Sequence, residues 1–119
     1  IDLTEDFIRA KMDHISTAIN DKFQIVSFRL FEDQINGGLK ETCECTINGV
    51  PFSSLNDAHK VVAGLDIIRS LSDLYGISCP VFIDKSESIN EWNFPAMDAQ
   101  MIHLVVTGDK ELKVEREDK

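Results

Sequence analysis

Two carboxylates, Asp84 and Glu87, stand three positions apart directly behind the apolar run Val81-Phe82-Ile83. A carboxylate at the end of a buried strand can hold a magnesium ion through water, as in nucleoside-triphosphate enzymes. Glu87, within Ser86-Glu87-Ser88, is placed to polarise a water as general base. The plainer alternatives are that Asp84 caps the next turn and that Glu87 is solvated surface. Asp98 adds a third acid nearby, and Asp84, Glu87 and Asp98 are ligand types that a two-metal nuclease uses. No lysine completes a convincing nuclease pattern, because Lys85 adjoins Asp84 and points to the other side of a strand.

Other chemistry finds less support. Asp66 interrupts a helical stretch and is expected on its polar face. His14, His59 and His103 are too far apart, in unrelated contexts, for a metal motif, so each is expected to be structural or exposed. No serine has a nucleophile-elbow context, and no Ser or Cys comes with an evident histidine and orienting carboxylate. GxxxxGK[ST] is absent, and Gly37-Gly38 belongs to a turn with no Lys-Ser or Lys-Thr behind it. Without that phosphate cradle Asp84 cannot support nucleotide hydrolysis in the usual way, so another segment must supply it.

The elements that position these residues follow from periodicity. Ser53-Ser54-Leu55-Asn56 is a polar turn in which Ser54 or Asn56 caps a helix, with Asp57 in its first turn. Val61, Val62, Leu65, Ile68, Leu71, Leu74 and Tyr75 recur at a helical period, and Gly76 stops it. Pro80 opens the strand 81–83, whose three apolar side chains do not alternate, so coverage on both faces is expected. Asp84 then lies at the C-terminal edge, where α/β sheets place ligand-binding groups.

Upstream, residues 1–21 form a helix capped by Thr4, with Leu3 stapled against Ile8 and a stripe of Ile8, Met12, Ile15 and Ile19 at coiled-coil spacing. Residues 22–31 change to a strand period, with Phe23, Ile25 and Ser27 on one face and Val26, Phe28 and Leu30 on the other. Asn36-Gly37-Gly38 turns the chain into a strand over 39–47 with Cys43, Cys45 and Ile47 inward and Thr42, Glu44 and Thr46 outward. Asn48-Gly49 turns it again into a short strand over 50–52. Residues 85–100 form a loop with a short helical turn, 101–107 a strand, 111–114 an edge strand and 115–119 a frayed tail. The fold class is therefore α/β: an antiparallel meander over 22–52, the capped helix and strand over 53–84, and a loop with terminal strands over 85–119.

At 119 residues the chain is one domain's worth. Its formal charge of -9 disfavours direct wrapping on DNA by this chain alone. No apolar run spans a bilayer and nothing resembles a signal peptide, so no membrane partner is expected. Cys43, Cys45 and Cys79 read as free, mostly buried thiols of a reducing compartment, which points to the cytoplasm. Ile1 in place of an initiating methionine is consistent with processing, truncation or a piece of a longer chain.

These residues resemble a family. Leu55-Asn56-Asp57-Ala58-His59-Lys60 followed by a helix is similar to the LSGGQK or LSGGEK signature of the ABC-type ATPase heads in SMC-like and DNA double-strand-break-repair proteins. The strand 81–84 looks like their Walker B strand, 101–107 like the strand after it, and the first helix like the root of the returning coiled coil. The runs Gly49-Val50-Pro51-Phe52, Ala63-Gly64-Leu65-Asp66-Ile67-Ile68 and Phe82-Ile83-Asp84 together resemble the C-terminal part of SMC-like ATPases of phages and bacteria. In place of the family pattern, Asn56 replaces the signature serine and Asp57 and Ala58 its glycines. Lys85 stands where a glutamate is common, and Gly108 falls near the expected switch histidine.

The resemblance implies the C-terminal lobe of a head whose N-terminal Walker A lobe comes from upstream or from a partner. Asn56 and Lys60 would face the triphosphate held by the opposite subunit, Asp84 would hold magnesium, and Glu87 would position water. ATP and Mg2+ belong to the complete head, which pairs head to head as a homodimer and acts on DNA through the whole protein. This chain alone is expected to be inactive and to bind neither tightly. The architecture requires strand 81–83 in the middle of a sheet and Asn56 at a helix N-terminus. The alternative from the residues themselves is a non-enzymatic α/β adaptor that pairs through the Ile8 to Ile19 stripe.

Overall fold

A computed structural model describes residues 2–89 and 97–117. It is a small mixed α/β structure with one antiparallel and one parallel sheet. The order is α1 (Asp2–Asn20), β1 (Ser27–Asp33), β2 (Leu39–Ile47), β3 (Val50–Pro51), α2 (Asp57–Tyr75), β4 (Val81–Ile83) and β5 (Met101–His103), with single 3-10 turns at Phe52–Ser54 and Ser86–Ser88.

α1 ends where expected, but it already includes Thr4, and Leu3 is 88% exposed. The proposed cap and staple are therefore absent. At its other end Asn20 imitates a strand neighbour: its Oδ1 accepts the Phe28 N–H at 2.7 Å and its Nδ2 donates to the Phe28 carbonyl at 3.2 Å. That reciprocal pair fixes the helix to β1, and Arg9 adds a salt bridge to Asp33 at 2.9 Å.

β1 begins at Ser27, five residues later than its alternation suggested. The reason is that the amides of Gln24, Ile25 and Val26 donate to a side chain of α2 and not to a neighbouring strand. β1 pairs antiparallel with β2, with a register slip between Arg29 and Phe31 that marks a bulge. Asn48 and Gly49 both take positive φ, 50° and 81°, as a two-residue hairpin into β3 requires. Phe52 leaves the expected third strand for the 3-10 turn. On β2, Ile47 is buried but so is Thr46, whose hydroxyl donates to the Ser27 carbonyl, while Cys43 is exposed. Cys79 is also exposed, which corrects the expectation of mostly buried thiols.

α2 serves two small cores. Ala63 packs with Val26 and Ile47 of the antiparallel layer, and Val62 and Leu65 pack with Val81, Ile83 and Ile89 on the other side. Of the two N-cap residues read from the sequence, Ser54 and Asn56, it is Asn56 that caps α2, and Gly76 is the left-handed C-cap (φ 64°), as expected.

The parallel sheet departs most from expectation. β4 pairs with β5 in the register Val81↔Met101 to Ile83↔His103, and the sheet has two strands. Val81 and Ile83 are buried, but Phe82 between them is 67% exposed. Among the described residues β4 is thus neither central nor covered on both faces, because α2 lies on one side and no second layer on the other. β5 is also shorter than expected, and 111–114 form no strand. The molecule extends 68 × 31 × 18 Å with a radius of gyration of 18.9 Å. A compact chain of this length has about 13–14 Å, so much apolar surface stays outside the two cores. No helix among the described residues is long and apolar enough to cross a membrane.

Candidate functional site

The first turn of α2 carries Asn56 and Lys60 one helical turn apart. The Asn56 Oδ1 accepts the His59 N–H at 2.9 Å and lies 2.7 Å from the His59 Nδ1. Its oxygen is committed to the cap, so what the side chain can offer an anion is its amide N–H donors. The Lys60 Nζ lies over the Phe52 ring, 5.9 Å from its centroid, which holds the ammonium close to the helix start. Asp57 occupies the same turn and adds a negative charge there.

Asp84 and Glu87 belong to one turn after β4. Asp84 Oδ1 accepts the N–H of Lys85 at 2.9 Å, so one of its oxygens caps the turn, as the plainer reading had it. Lys85 takes a left-handed conformation (φ 51°, ψ 42°), and the chain re-enters a 3-10 turn at Ser86. Glu87 is exposed, and its Oε2 accepts the Val106 N–H at 3.4 Å. Each carboxylate has a second oxygen able to take a metal or a water. Asp84 can therefore supply one ligand to a largely hydrated magnesium, which suits that ion.

Only residues 76–80 separate α2 from β4, and Ala58 in the first turn of α2 packs on the cluster that holds Ile83 and Ile89. Asp98 is not part of the grouping. Among the described residues no three His, Cys, Asp or Glu side chains, Asp84, Glu87 and Asp98 included, are gathered to hold a metal. The expected loop's Trp92 and Pro95 lie outside the described residues.

Asp66 is the largest correction. It is 0% exposed, not on the polar face. Its Oδ2 accepts the amides of Gln24, Ile25 and Val26 at 3.2, 2.7 and 2.9 Å, and its Oδ1 accepts the Arg69 Nε at 3.2 Å. Arg69 continues to Asp73 and to the Lys22 carbonyl, each at 3.1 Å, and the Ser70 hydroxyl donates to the same carbonyl at 2.8 Å. Burial pushes the Asp66 carboxyl up, but the three amides and Arg69 outweigh it, and its pKa ends below the ordinary value. A run of three N–H groups around a carboxylate is an anion nest, here filled by the chain's own side chain. A signal for it was present: Asp66 lies four residues after Val62 and three after Ala63, on the buried face of α2.

A second pair also escaped sequence reasoning. His103, expected to be merely structural or exposed, lies with its Nδ1 2.5 Å from the Ser86 hydroxyl. The two are seventeen residues apart, and only the parallel pairing of β4 with β5 makes them neighbours.

The class defined by these features is a small mixed α/β domain with a capped helix start and a carboxylate-bearing turn after β4. No family model, curated protein or solved structure matches the chain.

Proposed function

We propose that the chain is the C-terminal lobe of an SMC-like ATPase head, completed by a P-loop lobe that covers the open face and edge of β4. What supports this reading is a carboxylate, Asp84, directly after β4 and Asn56 as the N-cap of α2; β4 at the edge of a two-stranded sheet among the described residues counts against it unless the upstream lobe adds the neighbouring strands. Parallel strands are normally buried on both faces within larger sheets, so the reading needs the upstream lobe to cover the exposed Phe82 and to flank β4, which has one strand partner among the described residues. The strand is followed directly by Asp84, and the preceding helix carries Asn56 and Lys60 at its N-terminus. In the complete head Asp84 binds a hydrated magnesium on the nucleotide held by the P-loop. Glu87 orients the attacking water. Asn56 and Lys60 meet the triphosphate of the opposing head, and ATP-driven pairing of two heads is transmitted through α1 to DNA binding or processing in the cytoplasm.

An adaptor without enzymatic activity is the second reading, favoured by the same exposed apolar surface, which includes Ile68, Leu71, Tyr75 and Phe82, and by Asp57 at the helix start. Calorimetry with magnesium-ATP separates the two. The ATPase reading expects no binding by this chain alone, binding when it is combined with the polypeptide encoded immediately upstream, and loss of that binding in Asp84→Ala. Absence of binding in the combined sample, with the upstream segment folded, decides for the adaptor.

A further inference from the structure

Of the turn Ser86–Ser88, only Ser86 is buried, and its hydroxyl meets the His103 imidazole on the adjacent strand. The turn begins at Lys85 in a left-handed conformation that side-chain-bearing residues adopt at a cost, so surrounding contacts must hold it. β5 and its continuation provide them. The Leu104 carbonyl accepts the Ser86 N–H at 3.0 Å, the Val106 N–H donates to Glu87 at 3.4 Å, and His103 engages the Ser86 side chain. Ser88 closes the other side, its N–H and hydroxyl donating to the Lys85 carbonyl at 3.1 and 2.8 Å.

Asp84 is fixed independently, at the end of β4 and by its own bond to Lys85. Glu87 adjoins Ser86, so any rotation of the chain at Ser86 redirects the Glu87 carboxylate relative to Asp84. A serine hydroxyl both donates and accepts, and Nδ1 does either according to tautomer, so the pair is bonded in both neutral forms of the ring.

We propose that His103 is a positioning residue for this turn: through Ser86 it sets the direction in which Glu87 presents its carboxylate beside Asp84. The catalytic consequence rests on the ATPase reading above, whereas the coupling of His103 to the turn does not. A misplacement of about 1 Å in a group that orients a reactant costs on the order of 100-fold in rate. The loss falls on turnover and not on nucleotide affinity, because His103 is assigned no contact with the nucleotide.

The test has two arms. In NMR spectra of this chain, Ser86→Ala is expected to shift the His103 ring resonances. His103→Ala is expected to shift the Glu87 and Val106 amides while those of Val62 and Leu65 stay in place. In the head assembled with its P-loop lobe, His103→Ala is expected to lower kcat about 10- to 100-fold with KM for ATP unchanged, and His103→Asn to restore most of it. His103 ring resonances unmoved by Ser86→Ala overturn the inference. So does full kcat in His103→Ala when Asp84→Ala has abolished turnover. Equal turnover in the wild-type and Asp84→Ala heads marks failure of the ATPase reading itself, and the NMR arm then decides whether His103 sets the turn.

Discussion

Asp66, midway along α2, accepts the backbone N–H of Val26 at 2.9 Å across forty residues of chain. With Gln24, Ile25 and Arg69 it joins the approach to the antiparallel sheet to the helix that carries Asn56 at its other end. Removing the carboxylate leaves three amides without their acceptor and a nearly buried guanidinium with one of its two carboxylate partners gone. Asp66→Ala is therefore expected to cost about 3–5 kcal/mol, and Asp66→Asn less because it keeps one acceptor oxygen. Urea unfolding measures both, and a loss under about 1 kcal/mol for the alanine variant contradicts this role for Asp66.

The same carboxylate makes stability depend on pH. Its pKa is lower in the folded chain than in the unfolded one, so its contribution is complete above the unfolded value of about 3.9 and declines as pH falls through the folded pKa. Thermal midpoints are expected to drop below about pH 4 in the wild type, with a flatter acid limb in Asp66→Asn. Parallel acid limbs for the two proteins assign the acid sensitivity to other groups.

Asn20 stands in for a missing strand neighbour of Phe28. Asn20→Ala is expected to cost about 1–2 kcal/mol and to speed hydrogen exchange at the Phe28 amide. An unchanged exchange rate there shows that α1 is held without the reciprocal pair.

Asn56 combines capping with the proposed trans contact, and substitution separates the two. Asn56→Asp keeps a cap acceptor for His59, so stability should change by less than about 0.5 kcal/mol, whereas Asn56→Ala should lose about 1 kcal/mol. If Asn56 also meets phosphate, the aspartate variant weakens ATP-driven pairing of the assembled heads despite its intact fold. Wild-type pairing by that variant limits Asn56 to its cap.

Phe82 is 67% exposed, so Phe82→Glu is expected to change the stability of this chain by less than about 0.5 kcal/mol. In a mixture with the proposed P-loop lobe it should abolish complex formation, read by size-exclusion chromatography. An unimpaired complex shows that the face of β4 opposite α2 is not the joint.

Much of the layout was legible in the sequence because it is written in local patterns. The span of α2, its Asn56 and Gly76 caps, the hairpin at Asn48-Gly49 and the strand Val81–Ile83 each follow from periodicity or from a turn residue whose conformational preference acts within a few positions. The grouping of Asp84 with Glu87 is legible for the same reason, three residues being a single turn of chain. Contacts between distant segments were decided only by the tertiary structure. An aspartate in a helix reads as a surface residue until three amides forty residues away converge on it, and those amides in turn delay β1 to Ser27. Ser86 and His103 meet only because β4 and β5 run parallel in one register. The run Val81-Phe82-Ile83 announces a strand that wants two covered faces. Whether the chain has a layer to place over Phe82 depends on how all its elements pack, and no local pattern encodes that.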